Sequence, residues 1–355
     1  MPVDILYVAA GTTAGLVRGD DSLLQALDSC GASVAYDVPS YGLPRGAGRV
    51  ARRSMLTIDI HECFALRNTT ARALQRERPR AIIYASAHAA MLQPRTGRTR
   101  AAAIRFDTPA RLSRQGRAFA PEHWLERRRF RDARMLLPWG NEVVPEVAKL
   151  LPPGANVVAL PIPIDRFPLR HEREPCAVTY AASPVKKGLD LVLRAWNQAP
   201  VAGRKLMVAG LGPEAGCQFV QEQGLDMPRN VEWLGLVAPA DFRALTRRAE
   251  LYIAASRYEN YGIAQLEALA DGALLVTLPS RGPYAALSLN RALAPALIGS
   301  TFSAGALADS LEAAIRLPPL ERDAYRTHAY EMLAAHSQEQ LEVRVRSHLL
   351  PGLLG

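Results

Sequence analysis

Residues 259–267 of the chain are Glu259-Asn260-Tyr261-Gly262-Ile263-Ala264-Gln265-Leu266-Glu267, and they follow the apolar run Leu251–Ala254. The run predicts a buried strand, and the stretch after it predicts the start of a helix. A helix N-terminus offers unpaired backbone N–H groups and a partial positive charge, which favour phosphate. Gly262 would let the backbone approach a ligand, and the carboxylates of Glu259 and Glu267 can accept hydrogen bonds from hydroxyls. The stretch therefore predicts a site for phosphate plus polyol, the two parts of a nucleotide sugar.

Apolar runs alternate with helix-like segments along the first half of the chain. Strands that alternate with helices are typical of parallel sheets with helices on both faces. The predicted strands are Val3–Ala9, Ser33–Val38, Ala81–Ala85 and Ala102–Phe106, and the predicted helices are Asp20–Ser29 and Cys63–Arg78. Prolines in Pro152–Gly154 and Pro161–Pro163 then interrupt the pattern, so we predict a linker or domain edge there.

The same alternation restarts after the prolines. The predicted strands are Ala177–Ala181, Lys205–Ala209, Val231–Leu234, Leu251–Ala254 and Leu274–Leu278, and the predicted helices are Leu189–Gln198, Pro239–Ala249 and Ile263–Ala270. Two such series predict an α/β protein of two doubly wound, Rossmann-like domains that bind ligands in the cleft between them. We place these domains at residues 1–160 and 161–335. Residues 320–350 look helical and amphipathic, and we expect residues 336–355 to return to the first domain.

The composition indicates a soluble globular protein. The chain has 355 residues, of which 49% are hydrophobic, and no apolar run approaches the ~20 residues that span a bilayer. The N-terminus leads directly into a predicted strand, so we expect no signal peptide. The four cysteines lie far apart without metal or redox spacing, so we expect mostly buried, reduced thiols in a cytoplasmic protein.

The positive charge is confined to one half of the chain. Residues 1–150 carry 23 Lys and Arg against 14 Asp and Glu, a net charge of +9, whereas residues 151–355 carry 20 of each. This imbalance has two interpretations: an arginine-rich composition on solvated faces, or a surface that meets an anionic acceptor or an anionic membrane. Nucleic acid is disfavoured, because the basic residues are not interleaved with exposed aromatic residues.

Four motifs of the second half follow one another in the order and spacing of a known enzyme family. They are Lys187-Gly188-Leu189-Asp190, Val208–Pro213, Val231–Gly235 and the segment from Ser256 to Gly272. Together they resemble the GT-B glycosyltransferases, specifically the large retaining family with the E-x7-E motif (family 4-like, glycosyl transferases group 1). The resemblance covers roughly 110 residues.

The resemblance implies a GT-B fold and the transfer of a hexosyl group from a nucleotide-sugar donor, with retention and with neither a metal ion nor a cofactor. It implies that Lys187 neutralises the donor diphosphate, that Glu259 binds the donor sugar, and that Glu267, on the first turn of its helix, binds the ribose. Further donor contacts would come from Lys186, Gly210, Gly212, Asn260, Tyr261, Gly262 and Ile263. The alternatives are a solvated lysine, carboxylates that stabilise a helix start, and plain tight turns at the glycines.

The first half matches the family less closely. Gly11 and Thr12 follow the first strand in a glycine-rich loop, and either could contact the acceptor or a donor phosphate. Many members place a His before an Asp at a later strand end, where this chain has Phe106 before Asp107, so no catalytic His is transferred from the family. Asp107 and His88 each follow a predicted strand and are candidate catalytic residues, with a structural role as the alternative. Many relatives also place an Arg shortly before the lysine, where this chain has Ala182.

The run from His123 to Arg131 combines aromatic and basic residues, with Trp124, Leu125 and Phe130 among arginines. A helix of this composition could rest on an anionic membrane, as a peripheral contact on its inner face. The alternative is a helix that faces the core and exposes a charged outer side.

Two other functions remain open at the level of the sequence. The same fold could serve a sugar-nucleotide epimerase, or a non-catalytic sugar-nucleotide-binding scaffold. The pair Glu259/Glu267 and the presence of Lys187 favour the enzyme. A lipid, a saccharide or a small molecule could each be the acceptor, and the donor sugar, the nucleobase and the oligomeric state are not predicted.

Overall fold

The computed structural model describes residues 3–9, 11, 14–37, 55–93, 100–114, 120–149, 151, 155–170, 172–201 and 203–355, with the side chains of residues 14 and 55–62 left out. The chain divides into two units. The first contains Met1–Pro163 and Gln338–Gly355, and the second contains Ile164–Ser337. Each unit is an α/β structure built on one parallel sheet.

The first unit has six described strands and several helices. The strands are β1 (Ile5–Val8), β2 (Val34–Asp37), β3 (Ala81–Tyr84), β4 (Ala101–Phe106), β5 (Met135–Pro138) and β6 (Asn156–Val157). The helices are α1 (Ala14–Ser29), α2 (Met55–Glu77), α3 (Ala87–Met91), α4 (Ala110–Ser113), α5 (Ala120–Asp132) and α6 (Val144–Ala148), with a 3-10 turn at Asn141–Val143.

The strand order of the first sheet is β2-β1-β3-β4-β5-β6, with every pair parallel. Alternate residues of each strand point to opposite faces. Ile5 and Tyr7 of β1 pack with α1 and the C-terminal segment, whereas Leu6 and Val8 pack with α2, α3 and α5. Helices therefore cover both faces of the sheet, which explains why β1, β3 and β5 are buried along their whole length.

The second unit contains five strands among its described residues. They are β7 (Glu174–Tyr180), β8 (Lys205–Ala209), β9 (Val231–Gly235), β10 (Ala249–Ala254) and β11 (Leu274–Thr277). Its helices are α7 (Leu189–Gln198), α8 (Pro213–Glu222), α9 (Pro239–Arg248), α10 (Ile263–Ala270), α11 (Ala285–Leu293), α12 (Ala304–Arg316) and α13 (Pro319–Met332), with 3-10 turns at Pro295–Leu297 and Leu333–His336.

The strand order of the second sheet is β11-β10-β7-β8-β9, again parallel. The second unit begins with the middle strand β7, continues outward through β8 and β9, and then returns to β10 on the other side of β7. Connections therefore leave β7 and β10 in opposite directions, and this reversal opens a crevice at their carboxyl ends, where open α/β sheets bind ligands.

The predicted parallel α/β architecture is confirmed, and the predicted elements Leu189–Gln198, Lys205–Ala209 and Ile263–Ala270 have the observed bounds. Other predicted boundaries differ from the observed ones. The helix predicted at Cys63–Arg78 is observed at Met55–Glu77, and most of the remaining strands differ by one to three residues at an end. The helix predicted at Pro239–Ala249 ends one residue early, because Ala249 has extended backbone angles (φ −67°, ψ 142°) and begins β10. The helix predicted from Asp20 already begins at Ala14. The predicted strand residue Val38 and the segment Pro152–Gly154 lie outside the described residues.

The C-terminal region is not one continuous helix. The backbone of Ser337 is extended (φ −83°, ψ 159°) and ends the preceding 3-10 turn. The chain continues as α14 (Gln338–Arg344), a π-helical turn (Val345–Leu349) and α15 (Leu350–Leu354). Leu341, Val345 and Leu349 are buried in the core between α1 and the first sheet. Residues 338–355 are thus an integral part of the first unit.

Candidate functional site

The carboxyl ends of β7 and β10 bring two distant parts of the chain together. The two strands pair in parallel, with Leu251 opposite Ala177 and Tyr252 opposite Val178. A tight turn, residues 184–188, follows β7, and an irregular loop, residues 255–262, follows β10. Because both strands point the same way, these two connections meet at one edge of the sheet.

Lys187 and Glu259 form an ion pair at this edge. Nζ of Lys187 lies 2.7 Å from Oε2 of Glu259. The same oxygen accepts hydrogen bonds from Oγ of Ser256 at 3.0 Å and from Nε2 of Gln265 at 3.3 Å. The side chains of Lys187 and Glu259 are 22% and 13% exposed, so solvent reaches both. The carboxylate is held from three sides in an accessible position. Gln265 has no counterpart among the candidate residues predicted from the sequence.

Arg257 stabilises the turn at residues 184–188, which contains Lys186 and Lys187. Its guanidinium donates to both carboxylate oxygens of Asp190 on α7, at 3.0 and 2.8 Å. Its backbone N–H donates to the carbonyl of Lys186 at 3.0 Å, while the Lys186 side chain is exposed. The hydrogen bonds that Arg257 donates to Asp190 raise the pKa of Arg257 above its ordinary value. An arginine therefore does reach this turn, from the loop after β10 rather than from the position before the lysine.

Gly262 starts α10 in a conformation that requires glycine. Its angles are φ 84° and ψ 49°, in the left-handed region, and an added Cβ would lie 2.5 Å from a ring carbon of Tyr284. The fold alone therefore accounts for this glycine. Ile263 is the first residue of the helix, so its N–H group has no partner within the helix. Asn260 is half-buried, and Tyr261 is buried.

Glu267 does not lie on the first turn of its helix, as predicted, because it is the fifth residue of α10. Arg243 of α9 donates from one Nη atom to Oε1 of Glu267 at 3.2 Å. The same guanidinium donates to both oxygens of Asp271, each at 2.7 Å, and to the carbonyl of Asp165 at 2.9 Å. Burial alone would lower the pKa of Arg243, but Asp271 and Glu267 raise it above its ordinary value. The cation therefore stays charged beside Glu267.

Two glycines at the end of β8 differ in their surroundings. Gly210 has φ 93°, and an added Cβ would lie 2.6 Å from the backbone nitrogen of Ala182, so the packing of the protein itself requires glycine there. Gly212 has φ −79°, which any residue adopts, and an added Cβ would have no neighbour within 4 Å. The space beside Gly212, at the N-terminus of α8, is therefore open.

The candidates of the first unit lie after β1, β3 and β4. Gly11 is exposed with φ 65°, and Thr12 lies outside the described residues. His88 is in α3, directly after β3, and its Nε2 lies 3.1 Å from Oε1 of Glu122 on α5. Asp107 directly follows β4, and its Oδ1 accepts from the backbone N–H of Thr108 at 2.6 Å.

Two glutamates of α5 form the polar surroundings of His88. Burial alone would raise the pKa of Glu122, but His88 and Arg114 lower it below its ordinary value. Glu126 accepts the backbone N–H of Ala110 with both oxygens, at 2.9 and 3.0 Å. Burial raises the pKa of Glu126 to about 7. Neither glutamate was predicted as a site residue, although their four-residue spacing places both on one side of a helix.

Within the described part of the chain, no three His, Cys, Asp or Glu side chains are close enough to bind one metal ion. The same residues contain no helix that is both long and apolar enough to cross a membrane. The four cysteines are free thiols: Cys63 and Cys176 are buried, Cys30 is half-buried, and Cys217 is exposed, contrary to the expectation that most are buried.

The second unit matches a known protein family. The model of the family described as glycosyl transferases group 1 matches residues 162–332. The alpha-monoglucosyldiacylglycerol synthase of Streptococcus pneumoniae is 29% identical over 155 residues, which are 42% of this chain and 32% of that protein. The match thus spans about a third of the length of that relative.

Solved structures share the architecture of the whole chain. The sucrose-phosphate synthase of Thermosynechococcus elongatus has a TM-score of 0.75 at 13% identity, over 97% of both chains. HepE of Anabaena, in complex with UDP and glucose, has a TM-score of 0.69 at 12% identity, over 98% of this chain and 100% of its own. The predicted GT-B fold, with its two parallel-sheet domains, is confirmed.

Proposed function

We propose, from the match of residues 162–332 to the family described as glycosyl transferases group 1, that the chain transfers a sugar from a nucleoside-diphosphate sugar to an acceptor hydroxyl. We propose further that the configuration of the anomeric carbon is retained, that no metal ion is needed, and that the reaction takes place in the cytoplasm.

The observation that carries this proposal is the ion pair between Lys187 and Glu259 at the carboxyl ends of β7 and β10. An ammonium group is a point charge suited to phosphate, and a carboxylate accepts hydrogen bonds from sugar hydroxyls. The two groups a nucleotide sugar needs thus stand 2.7 Å apart at the point where the strand order reverses.

On donor binding, Lys187 turns from Glu259 to the diphosphate. Glu259 keeps its hydrogen bonds from Ser256 and Gln265, which orient its carboxylate towards the sugar hydroxyls. Lys186 is exposed on the same turn and adds a second positive charge. The first N–H groups of α10, at Ile263 and its neighbours, donate to oxygen atoms of the donor, with Asn260 and Tyr261 shaping the loop before them.

The nucleoside lies beside the end of β8 in this proposal. Glu267 accepts hydrogen bonds from the ribose hydroxyls, and Arg243 holds one oxygen of its carboxylate in place. The open space at Gly212 admits the nucleotide, whereas Gly210 holds the turn before it.

The chemical step breaks the bond between the anomeric carbon and the diphosphate oxygen. The acceptor oxygen attacks the same face of the sugar, and its proton passes to an oxygen of the departing diphosphate. The positive charge of Lys187 and the N-terminus of α10 stabilise the negative charge that develops on the leaving group. These groups supply the stabilisation that a metal ion provides in other enzymes.

Two names among the similar proteins suggest which substrates to test first. HepE was solved with UDP and glucose, which favours a UDP-sugar as donor. The streptococcal relative is named as a synthase of a glucosylated diacylglycerol, which favours a lipid acceptor. We propose that His88, Asp107 and Gly11 contact the acceptor, since they follow strands of the first unit on its carboxyl edge.

A donor screen followed by a turnover assay tests the function. Thermal shifts would be recorded with UDP-, GDP-, ADP- and TDP-sugars in the presence of EDTA. A donor at 100 times its Kd stabilises the folded protein by about 2.7 kcal/mol. Release of the nucleoside diphosphate from the best donor, with a diacylglycerol acceptor, would then be measured for the wild type and Glu259→Gln. Binding without any release by the wild type would favour the scaffold, and no binding would contradict the proposal.

A further inference from the structure

Helices α2 and α5 flank the short helix α3 on one face of the first sheet. Sγ of Cys63 on α2 lies 3.3 Å from the carbonyl oxygen of His88, and Thr70 accepts from Gln93 at 3.2 Å, just beyond α3. From the other side, Nε of Arg129 on α5 donates to the carbonyl of Met91 at 2.9 Å. Helices α2, α3 and α5 therefore pack in one layer on this face of the sheet, with α3 in the middle.

This layer exposes large aromatic side chains among arginines. Phe64 on α2 is 52% exposed and Trp124 on α5 is 59% exposed. The guanidinium of Arg128 lies over the ring of Trp124, 5.3 Å from its centroid. We call the group the aromatic–arginine face, and it consists of Phe64, Arg67, Trp124, Arg127, Arg128 and Arg131.

The acidic residues of α5 do not neutralise this face. Glu122 and Glu126 are buried on the opposite side of the helix. Burial lowers the pKa of Arg129, the carboxylate of Asp132 opposes this effect, and the positive charges of Arg128 and Arg67 lower the pKa further. Of the acidic side chains described on α2 and α5, those not buried are Glu77 and Asp132, at the C-terminal ends.

The core does not explain the exposed aromatic rings. Glu122, Glu126 and Phe130 form the buried side of α5, so Trp124 is not needed for packing. A tryptophan next to arginines on an exposed helix is typical of a surface that rests at a membrane interface, where the ring enters the headgroup region and the guanidinium groups meet anionic phosphates. A site for single-stranded nucleic acid would instead need aromatic rings arranged along a basic groove.

We propose that the aromatic–arginine face docks on the surface of an anionic lipid bilayer. Charge complementarity identifies the partner, since the face carries arginines, and the whole excess of +9 lies in the half of the chain that contains it. This surface is separate from the donor site of the second unit, so the proposal does not depend on glycosyl transfer.

Co-sedimentation of the full chain with vesicles tests the proposal. Binding would be compared between phosphatidylcholine vesicles with and without about 30% phosphatidylglycerol, at about 50 mM and about 500 mM NaCl. We expect binding to the anionic vesicles only, and its loss at high salt. An arginine near an anionic surface contributes about fivefold to the partition coefficient. The double variant Arg67→Gln/Arg128→Gln should therefore bind about 25-fold more weakly.

Matched variants separate the face from overall charge. Arg291→Gln removes an exposed arginine from α11 of the second unit and should bind like the wild type. Trp124→Phe should keep vesicle binding but lose the blue shift of tryptophan emission, because Trp139 and Trp196 are already buried and the half-buried Trp233 lies in the second unit. Equal binding by the double variant and Arg291→Gln would overturn the proposal. The proposal would also be overturned if the protein does not bind vesicles but binds single-stranded RNA through these arginines.

Discussion

Arg243 and Glu267 are linked by a hydrogen bond of 3.2 Å between two neighbouring helices of the second unit. The arginine uses its other donors on Asp271 and Asp165, so its position is set by the fold rather than by Glu267. In our proposal, the contact of Arg243 with Oε1 of Glu267 orients this carboxylate towards the ribose. We therefore regard Arg243 as a positioning residue for the nucleoside.

Glu267→Gln should weaken UDP binding by about 10- to 100-fold, because a hydrogen bond to a charged group contributes about 1.5–3 kcal/mol. The affinity for the 2′,3′-dideoxy analogue of UDP should change little, since the analogue lacks the hydroxyls that Glu267 would bind. Isothermal titration of both nucleotides measures the ratio of the affinity for UDP to the affinity for its dideoxy analogue. A variant that still distinguishes UDP from its dideoxy analogue as the wild type does would exclude Glu267 from the ribose site.

Arg243→Lys should reduce the same ratio without abolishing it, because lysine keeps the charge but cannot make the paired hydrogen bonds to Asp271. A merely structural role would lower stability and leave the discrimination between the two nucleotides intact. Titrations at a temperature where the variant is fully folded separate the two cases.

Lys187→Met and Glu259→Gln should each lower sugar transfer by about 100-fold or more, since each removes a contact to the reacting part of the donor. The pair is accessible to solvent, so the melting temperature should change by only a few degrees. Initial rates of nucleoside-diphosphate release provide the measurement. Lys205→Met is the matched control, because Lys205 forms an exposed ion pair of 3.0 Å with Glu232. Equal rates for Lys187→Met and Lys205→Met would refute the assignment.

Gly212→Val should fold normally and bind UDP at least about tenfold more weakly. Its backbone angles suit any residue and its surroundings are open, so valine fills only the space proposed for the nucleotide. Gly210→Ala should instead destabilise the protein by about 1–3 kcal/mol, because alanine is strained at positive φ and would meet the backbone of Ala182. Thermal melts and UDP titrations of both variants check this contrast. Unchanged UDP affinity in Gly212→Val would place the nucleotide elsewhere.

Glu126 should make stability depend on pH. Burial raises its pKa from the ordinary value of 4.5 to about 7 in the folded protein, so the folded state binds the proton more tightly than the unfolded state. Its contribution is therefore fully present below about pH 4.5 and is lost as the pH rises to about 7.

Relative to Glu126→Gln, whose side chain cannot ionise, the wild type should lose about 3 kcal/mol of its free energy of unfolding between about pH 4.5 and about pH 7. This loss corresponds to the rise of the pKa from 4.5 to about 7. Urea unfolding at a series of pH values measures the difference. Glu142→Gln, which replaces an exposed glutamate of the same unit, is the control variant. Parallel stability curves for the wild type and Glu126→Gln would show that folding does not shift the pKa of Glu126.

Elements with a regular pattern and a local end signal could be predicted from the sequence alone. Helix α7 alternates apolar and polar residues with helical period, and α10 starts directly after Gly262, so both bounds were correct. Helix α8 was missed because Pro213 and Gly216 suggest a loop. In the structure Pro213 occupies the first turn, where no N–H is needed, and Gly216 leaves room for the ring of Trp233, which an added Cβ would approach to 2.5 Å.

The sequence by itself determined which residues could bind a nucleotide sugar, because the motif around Glu259 and the lysine at Lys187 are local chemical patterns. Only the tertiary structure decided that β7 pairs with β10, which joins two residues 72 positions apart in one ion pair. Likewise, Arg243 reaches Glu267 only because α9 packs beside α10. Strand order and helix packing depend on how whole faces are buried together, and no local spacing encodes which distant faces will meet.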